Sequence, residues 1–477
     1  MLTRLEVDGF KTFEKLDVSF EPFSVVLGSN ASGKSNLFDV ILLLSNLAYK
    51  DVNEATRHLR GEPLELFRET PGGRVDRIAM AAEVLIDPVV VDAYGSRVEL
   101  AHTRLRYELV LERRRTRTGT DRLFVVEEFV RPIRAGDDPW VKARGSGGKR
   151  SPYIRYSSRD KNFLETVDGD SGPEFRIRQD GKAGRQRPAN AAEATVLYGI
   201  TNSQDFPHLF ALREELANWR LLQLDPALLR RPVPATASEE LESDGANLAA
   251  VLAAIKAETA DESYPMGTLT EITADLASLV GGITRVDADF DEGRREYRLE
   301  LETRDTLRFS SRVLSDGTLR ILALLTLLHD PRRRGLICFE EPENGIHPAR
   351  VALLIEMLRD MVTNLAPETE PEGAEEDCRD SLPPLAQLLL NSHSPVVLSA
   401  LLSENLQPKR GASLLFADTL SVTSPNGGVR RLSRLRPVAR SRPAAQGSVL
   451  DAEPMPPPAV VLDHEVRKVL DTVILDG

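Results

Sequence analysis

The chain has 477 residues, 41% hydrophobic and 28% charged, ordinary values for a globular protein with a large buried core. Its formal charge of −12 argues against a surface that coats nucleic acid throughout. No apolar run reaches the length of about 18 residues that a membrane helix needs, so no membrane association is expected. The opening MLTRLEVDGF lacks the basic-then-apolar pattern of a secretory leader, and Cys338 and Cys378 have no metal-ligand spacing. A disulfide framework is therefore not expected, and the cytoplasm is the expected location.

In chain order, residues 3–7, 16–20 and 23–27 read as short strands, the last a continuous apolar run suited to burial. A Gly-rich turn and a helical pattern over 36–48 follow. Alternating, β-branched segments at 78–86, 104–111 and 123–130 predict an antiparallel sheet. Residues 134–191, rich in Gly, Arg and Ser, read as loops. Helical periodicity returns at 208–222, 245–258 and 269–280, followed by strands at 285–290, 297–302 and 307–309. From 318 the pattern becomes helix (318–328), strand (336–339), helix (348–364) and two strands (387–391, 413–417), the mark of a parallel α/β sheet. Residues 366–380 read as an acidic linker, and 434–458 as unstructured before a short terminal helix.

The strongest motif is Gly28-Ser-Asn-Ala-Ser-Gly33-Lys34-Ser35, a match to G-x-x-x-x-G-K-[ST] between an apolar strand and a helix. Glycines let such a loop curl until its backbone N–H groups point at phosphate oxygens, and the helix start adds positive potential. Gly28, Asn30, Gly33, Lys34, Ser35 and Asn36 are the candidate nucleotide-binding residues, with Lys34 reaching the β- and γ-phosphates of ATP and Ser35 ligating Mg²⁺. A second motif, Leu336-Ile-Cys-Phe-Glu340-Glu341-Pro342, is an apolar strand tipped with two carboxylates. Glu340 is the candidate on the metal side and Glu341 the candidate general base. Taken alone, a core strand ending in a solvated acidic turn explains these residues equally well. Two further motifs are weak in isolation. Ser315-Asp-Gly317 precedes an apolar helix and reads also as a simple N-cap; His393 follows the apolar run 388–390 and reads also as a structural histidine.

The order of the four motifs is that of ABC-type ATPases. VDGFKTF at the N-terminus, Asn36 directly after GKS, VLSDGTLRILALLTLL, LICFEEPENGIHP, LLLNSHSPVVL and DGANLAAVLAAI resemble the RecF/SMC-like ATPases, a group that includes the OLD-family heads. The similarity covers residues 1–90 and 205–420. The resemblance implies that Ser315 and Gly317 touch the γ-phosphate held by a second protomer, that Asn344 and Gly345 lie at the dimer seam, and that His393 senses the γ-phosphate. It implies a homodimer with composite ATP sites. Two departures stand out: Glu340 replaces the commoner Asp, and no glutamine occurs between the phosphate loop and Gln179 to serve as the usual Q-loop residue.

The expected fold is an α/β P-loop NTPase of the ABC-ATPase head type: a mixed sheet with an antiparallel β lobe, a helical subdomain and a β-rich insertion. The expected divisions are an N-terminal half-head (1–100), a basic insertion (101–204), a helical subdomain (205–284), a C-terminal half-head (285–433) and a tail (434–477). Ser315 follows Lys34 by 281 residues, too far for a transporter ATPase. Residues 100–300 lack the heptads of a full SMC coiled coil. Only 84 residues follow His393, too few for the Toprim nuclease domain of an OLD protein. The expected activity is slow ATP hydrolysis acting as a clamp or timer. Family analogy places it in DNA repair or antiviral defence, gating a separately encoded effector; the alternative is a non-catalytic nucleotide-sensing scaffold. Residues 103–189 carry 21 Lys/Arg against 13 Asp/Glu, +8, leaving −20 elsewhere. Arg113, Arg114, Arg115 and Arg117, then Lys142, Arg144, Lys149, Arg150 and Arg155 beside Trp140, Tyr153 and Tyr156, suit a nucleic-acid backbone with base stacking, or a solvated loop or a protein-docking patch.

Overall fold

The computed structural model describes residues 1–117, 119–145, 151–158, 161–179, 182–305, 308–365, 382–402, 412–423, 429–439 and 460–475. They fall into two compact units: Met1–Trp219 with Thr363–Gln387 and Pro408–Gly477, and Arg220–Val362 with Leu388–Gln407. The acidic segment 366–380 lies outside the described residues.

In the first unit an eight-stranded sheet runs, edge to edge, Lys182–Pro188, Gly172–Gln179, Leu164–Gly169, Asp121–Pro132, Arg104–Arg115, Arg77–Leu85, Leu2–Asp8 and Leu16–Ser19. All its neighbours are antiparallel, and alternation sets the two faces. Leu2, Leu5, Leu105, Tyr107 and Leu109 are buried on one side, while Arg4 pairs with Asp17 and Arg106 with Glu6 on the other. The strands at 164–188 replace the expected loops. Their Arg and Gly content hid them, because Arg176 and Arg178 lie across from Glu165 and are neutralised strand to strand.

A second set of strands in this unit holds the phosphate-loop motif. Phe23–Gly28 is buried at all six positions and pairs in parallel with Ala412–Thr423, with Ser24 opposite Ser413 and Gly28 opposite Ala417. Burial on both faces explains why this strand reads as a run rather than an alternation. Its one polar side chain is satisfied: Ser24 Oγ donates to Glu21 O and sits 2.8 Å from Ser413 Oγ. Ala412–Thr423 folds back antiparallel on Val429–Ala439, a strand where the sequence predicted none and read residues from 434 as unstructured. The helix Lys34–Leu47 begins two residues before its expected start.

The aromatics of the basic segment are core residues. Trp140 and Tyr153 are 6% and 3% exposed and pack with Leu85, Val141, Leu365 and Leu385. Trp140 Nε1 donates to Phe20 O at 2.8 Å, and Tyr153 OH to Pro383 O at 3.0 Å. Beneath them Arg104 and Asp138, both fully buried, form a two-pronged ion pair at 2.7 and 3.2 Å, with Tyr156 OH donating to Asp138 as well. Trp140 and Tyr153 therefore do not form a base-stacking platform, one of the readings left open for this segment: these rings serve the core. Four of the arginines are partnered too, Arg113 with Asp76, Arg114 with Glu112, Arg144 with Glu21 and Arg155 with Glu99. Lys149 and Arg150 lie outside the described residues.

In the second unit Arg220–Leu222 pairs in parallel with Gly335–Glu340, another strand buried along its length. Ile283–Asp291 and Glu296–Thr303 form an antiparallel pair that Val233–Pro234 and Arg308–Ser310 extend. Helices Leu248–Thr259, Leu269–Leu279, Asp316–His329, Val351–Asp360 and Pro395–Leu402 complete it. Leu269–Leu279 buries Leu269, Ile272, Leu276 and Leu279, the spacing of a single apolar stripe.

Candidate nucleotide site

The phosphate loop is built by close approach. At Gly28 a Cβ would lie 2.5 Å from Ala417 O; at Gly33 it would overlap Ser433. Gly33 takes φ 100° and Ala31 φ 60°, left-handed conformations that curl the loop back over its own strand. Gly33 caps the helix Lys34–Leu47 without a side-chain hydrogen bond of its own. Lys34 Nζ donates to Gly28 O and Ser29 O at 2.6 and 2.9 Å, spanning the hollow of the loop. Ser32 is 2% exposed, and its Oγ is a buried atom without a hydrogen-bond partner. Ser35 is the second, half-buried helical residue, and Asn30 is exposed at the loop crest. This cradle suits a triphosphate: side chains are excluded where backbone must approach, an ammonium stands at its centre and a hydroxyl lies orphaned beside it.

Asn36 faces the rear of the loop. Its Nδ2 donates to Thr12 Oγ1 at 2.8 Å, and Thr12 Oγ1 lies 2.8 Å from Ser433 Oγ. Thr12 and Ser433 were invisible as site residues in the sequence, since neither belongs to a motif. Lys11 Nζ donates to Asp39 at 2.6 Å, one helical turn past Ser35.

In the second unit the acids sit where expected and bring company. Glu340 ends the strand Gly335–Glu340 and accepts from Asn391 Nδ2 at 3.2 Å. Glu341 takes φ 53°, unusual for a residue with a Cβ, and its N–H donates to Asn391 O at 3.0 Å. That turn presents its carboxylate to His393, whose Nδ1 donates to Glu341 Oε1 at 2.8 Å. Glu343, which no motif flagged, completes the cluster: it accepts from the buried Ser392 hydroxyl, and burial followed by the charge of Glu341 pushes its carboxyl above the usual range. Glu341 Oε2 and Glu343 Oε2 are buried atoms without hydrogen-bond partners. One ligand atom each from Glu341, Glu343 and His393 lies within 4.8 Å of the others, a donor set that also suits a divalent cation.

Ser315 caps the helix Asp316–His329, its Oγ accepting from Thr318 N at 3.1 Å. Gly317 and Gly345 meet backbone to backbone: a Cβ on Gly317 would lie 2.5 Å from Gly345 Cα. Gly345 holds φ 90°. Asn344 is exposed next to it, and Asp316 pairs with Arg230 at 2.5 Å.

A strand–glycine loop–helix phosphate cradle, a Ser-capped helix and an acid-tipped strand followed by a histidine define the class: an α/β protein with a P-loop nucleotide-binding motif. Residues 23–399 match the family described as "AAA domain, putative AbiEii toxin, Type IV TA system", and the chain belongs to that family. No curated protein sequence matches the chain. Among solved structures it is similar to an Smc head bound to the C-winged helix domain of ScpA, at 12% identity over 91% of this chain and 97% of that one, TM-score 0.46. It is also similar to the SMC head domain from Thermotoga maritima, at 11% identity over 92% and 99%, TM-score 0.35. No helix among the described residues is long and apolar enough to cross a membrane.

Proposed function

We propose that the chain binds ATP–Mg²⁺ through Gly28, Asn30, Gly33, Lys34, Ser35 and Asn36 and hydrolyses it slowly, with Glu341 as general base and His393 holding and sensing at its side. The observation that carries this reading is the contact of His393 Nδ1 with Glu341 Oε1, which orients a carboxylate whose second oxygen has no partner. A carboxylate oxygen without a partner can accept a proton from an attacking water that reaches it. Bound Mg²⁺, held by Ser35 and on the Glu340 side, would neutralise developing phosphate charge. Ser315 and Gly317 serve a nucleotide on a second copy, so the working unit is a head-to-tail homodimer. The family description supports a role in defence, with DNA repair as the related alternative, through a separately encoded effector. A cytoplasmic location accords with this reading.

Glu341→Gln should bind ATP normally and lose about 10²–10⁴ in turnover. Lys34→Ala should lose ATP binding in a calorimetric titration while melting as wild type does. Wild-type turnover in Glu341→Gln would remove Glu341 from the role of base.

A further inference from the structure

Arg230 belongs to none of the motifs, yet it is wired to one. It ends the short helix Pro226–Leu229, and its Nη1 donates to Pro226 O at 3.0 Å. Its Nη2 donates to Leu314 O at 2.8 Å and to Asp316 Oδ1 at 2.5 Å. Leu314 and Asp316 flank Ser315, so one guanidinium group braces both sides of the helix cap. Ser311 Oγ in turn donates to Arg230 O at 3.0 Å, fixing the arginine backbone to the same turn.

The arrangement sets a carboxylate at the helix start proposed to meet a phosphate. Asp316 is 69% exposed at its side chain and Arg230 26%. An ion pair this open to water is held weakly. Asp316 loses little if the arginine leaves, because solvent and the positive end of its own helix both remain to stabilise it. A phosphate offers the planar guanidinium two oxygens and more negative charge than one carboxylate. Gly317 and Gly345, touching through their backbones, keep side chains out of the adjoining space.

We propose that Arg230 is a γ-phosphate ligand acting on the nucleotide of the second copy, held in reserve by Asp316 until that nucleotide arrives. The guanidinium exchanges one carboxylate for phosphate oxygens and stabilises their growing charge during hydrolysis. This rests on the dimer reading above. It makes the arginine a catalytic residue supplied in trans.

The test uses the full chain in mixtures. Arg230→Ala alone should bind ATP at its own phosphate loop as wild type does, and lose turnover by on the order of 10²–10³-fold, the usual loss on removing one transition-state donor. Mixed with Lys34→Ala chains, it should regain turnover, because each mixed dimer then has one site with both an intact loop and an intact arginine. Arg230→Lys guards against a folding failure: it keeps the stem and charge, and should stay slow because one ammonium cannot span two oxygens. Wild-type turnover in both variants overturns the proposal. So does full recovery in Arg230→Ala/Asp316→Ala, which would leave the arginine only the task of masking the carboxylate. A Lys34→Ala and Ser315→Arg mixture serves as the control. If that pair recovers and the Arg230→Ala mixture stays inactive, Arg230 acts within its own chain and this inference alone fails. If neither recovers, the dimer reading fails and takes this inference with it.

Discussion

His393 Nδ1 and Glu341 Oε1 stand 2.8 Å apart although the backbone of Glu341 must turn to φ 53° to make the contact. A residue with a Cβ in that region carries strain of about 1–3 kcal/mol, which the surrounding hydrogen bonds must offset. His393→Ala removes the orienting partner and leaves the base in place. Turnover should fall by less than in Glu341→Gln, and ATP binding should stay unchanged in a calorimetric titration.

The Gly317–Gly345 contact predicts an intolerance that is steric rather than chemical. Gly345→Ala would push a methyl group into Gly317 and force φ 90° on a residue with a Cβ. A loss of about 1–3 kcal/mol in denaturant unfolding is expected, together with loss of turnover. Unchanged stability would show that the two turns separate easily.

Arg104 and Asp138 are both fully buried, so removing Asp138 takes from Arg104 its close partner and leaves it Glu83 at 3.9 Å. Asp138→Ala should cost about 3–5 kcal/mol in unfolding measurements. Arg104→Met with Asp138→Leu should be much milder, since both charges leave the core together.

Glu128 is fully buried, accepting from Val196 N and Leu197 N and from Tyr107 OH; burial pushes its carboxyl up to about 7. The folded state therefore holds a proton that the unfolded chain releases near the usual carboxylate value. The stabilisation is present at acid pH and falls as pH rises from about 4.5 through about 7, by on the order of 3 kcal/mol. Glu128→Gln should flatten that part of the stability profile in melts taken across this range.

Much of this architecture could be read from the residues. The strand at 23–28 and the helix after it followed from an apolar run ended by glycines, and the strand at 335–340 from another run ended by acids. The helix behind Ser315 was also legible, although it begins at Asp316 rather than at 318. What escaped notice has common physical causes. Strands rich in arginine, such as Gly172–Gln179 and Val429–Ala439, hide their alternation because arginines such as Arg178, Arg434 and Arg436 are answered by a carboxylate on the next strand. Trp140 and Tyr153 looked like a binding surface because local composition does not reveal that residues 365 and 385 come back to cover them. Glu343, Ser392, Thr12 and Ser433 gain their place beside the candidate groups only through long-range pairing. No periodicity carries that signal.

The pairing of Phe23–Gly28 with Ala412–Thr423 also bears on how the chain is made. This strand, apolar but for Ser24, is made early, and its partner strand follows almost 390 residues later. At about 5–20 residues per second that is a wait of roughly 20–80 s. Over that interval the nascent chain displays an open, sticky β edge, a natural target for a holding chaperone. The wall that Ser433 gives the phosphate loop arrives later still. Nucleotide capture should thus begin only once residue 433 has been made.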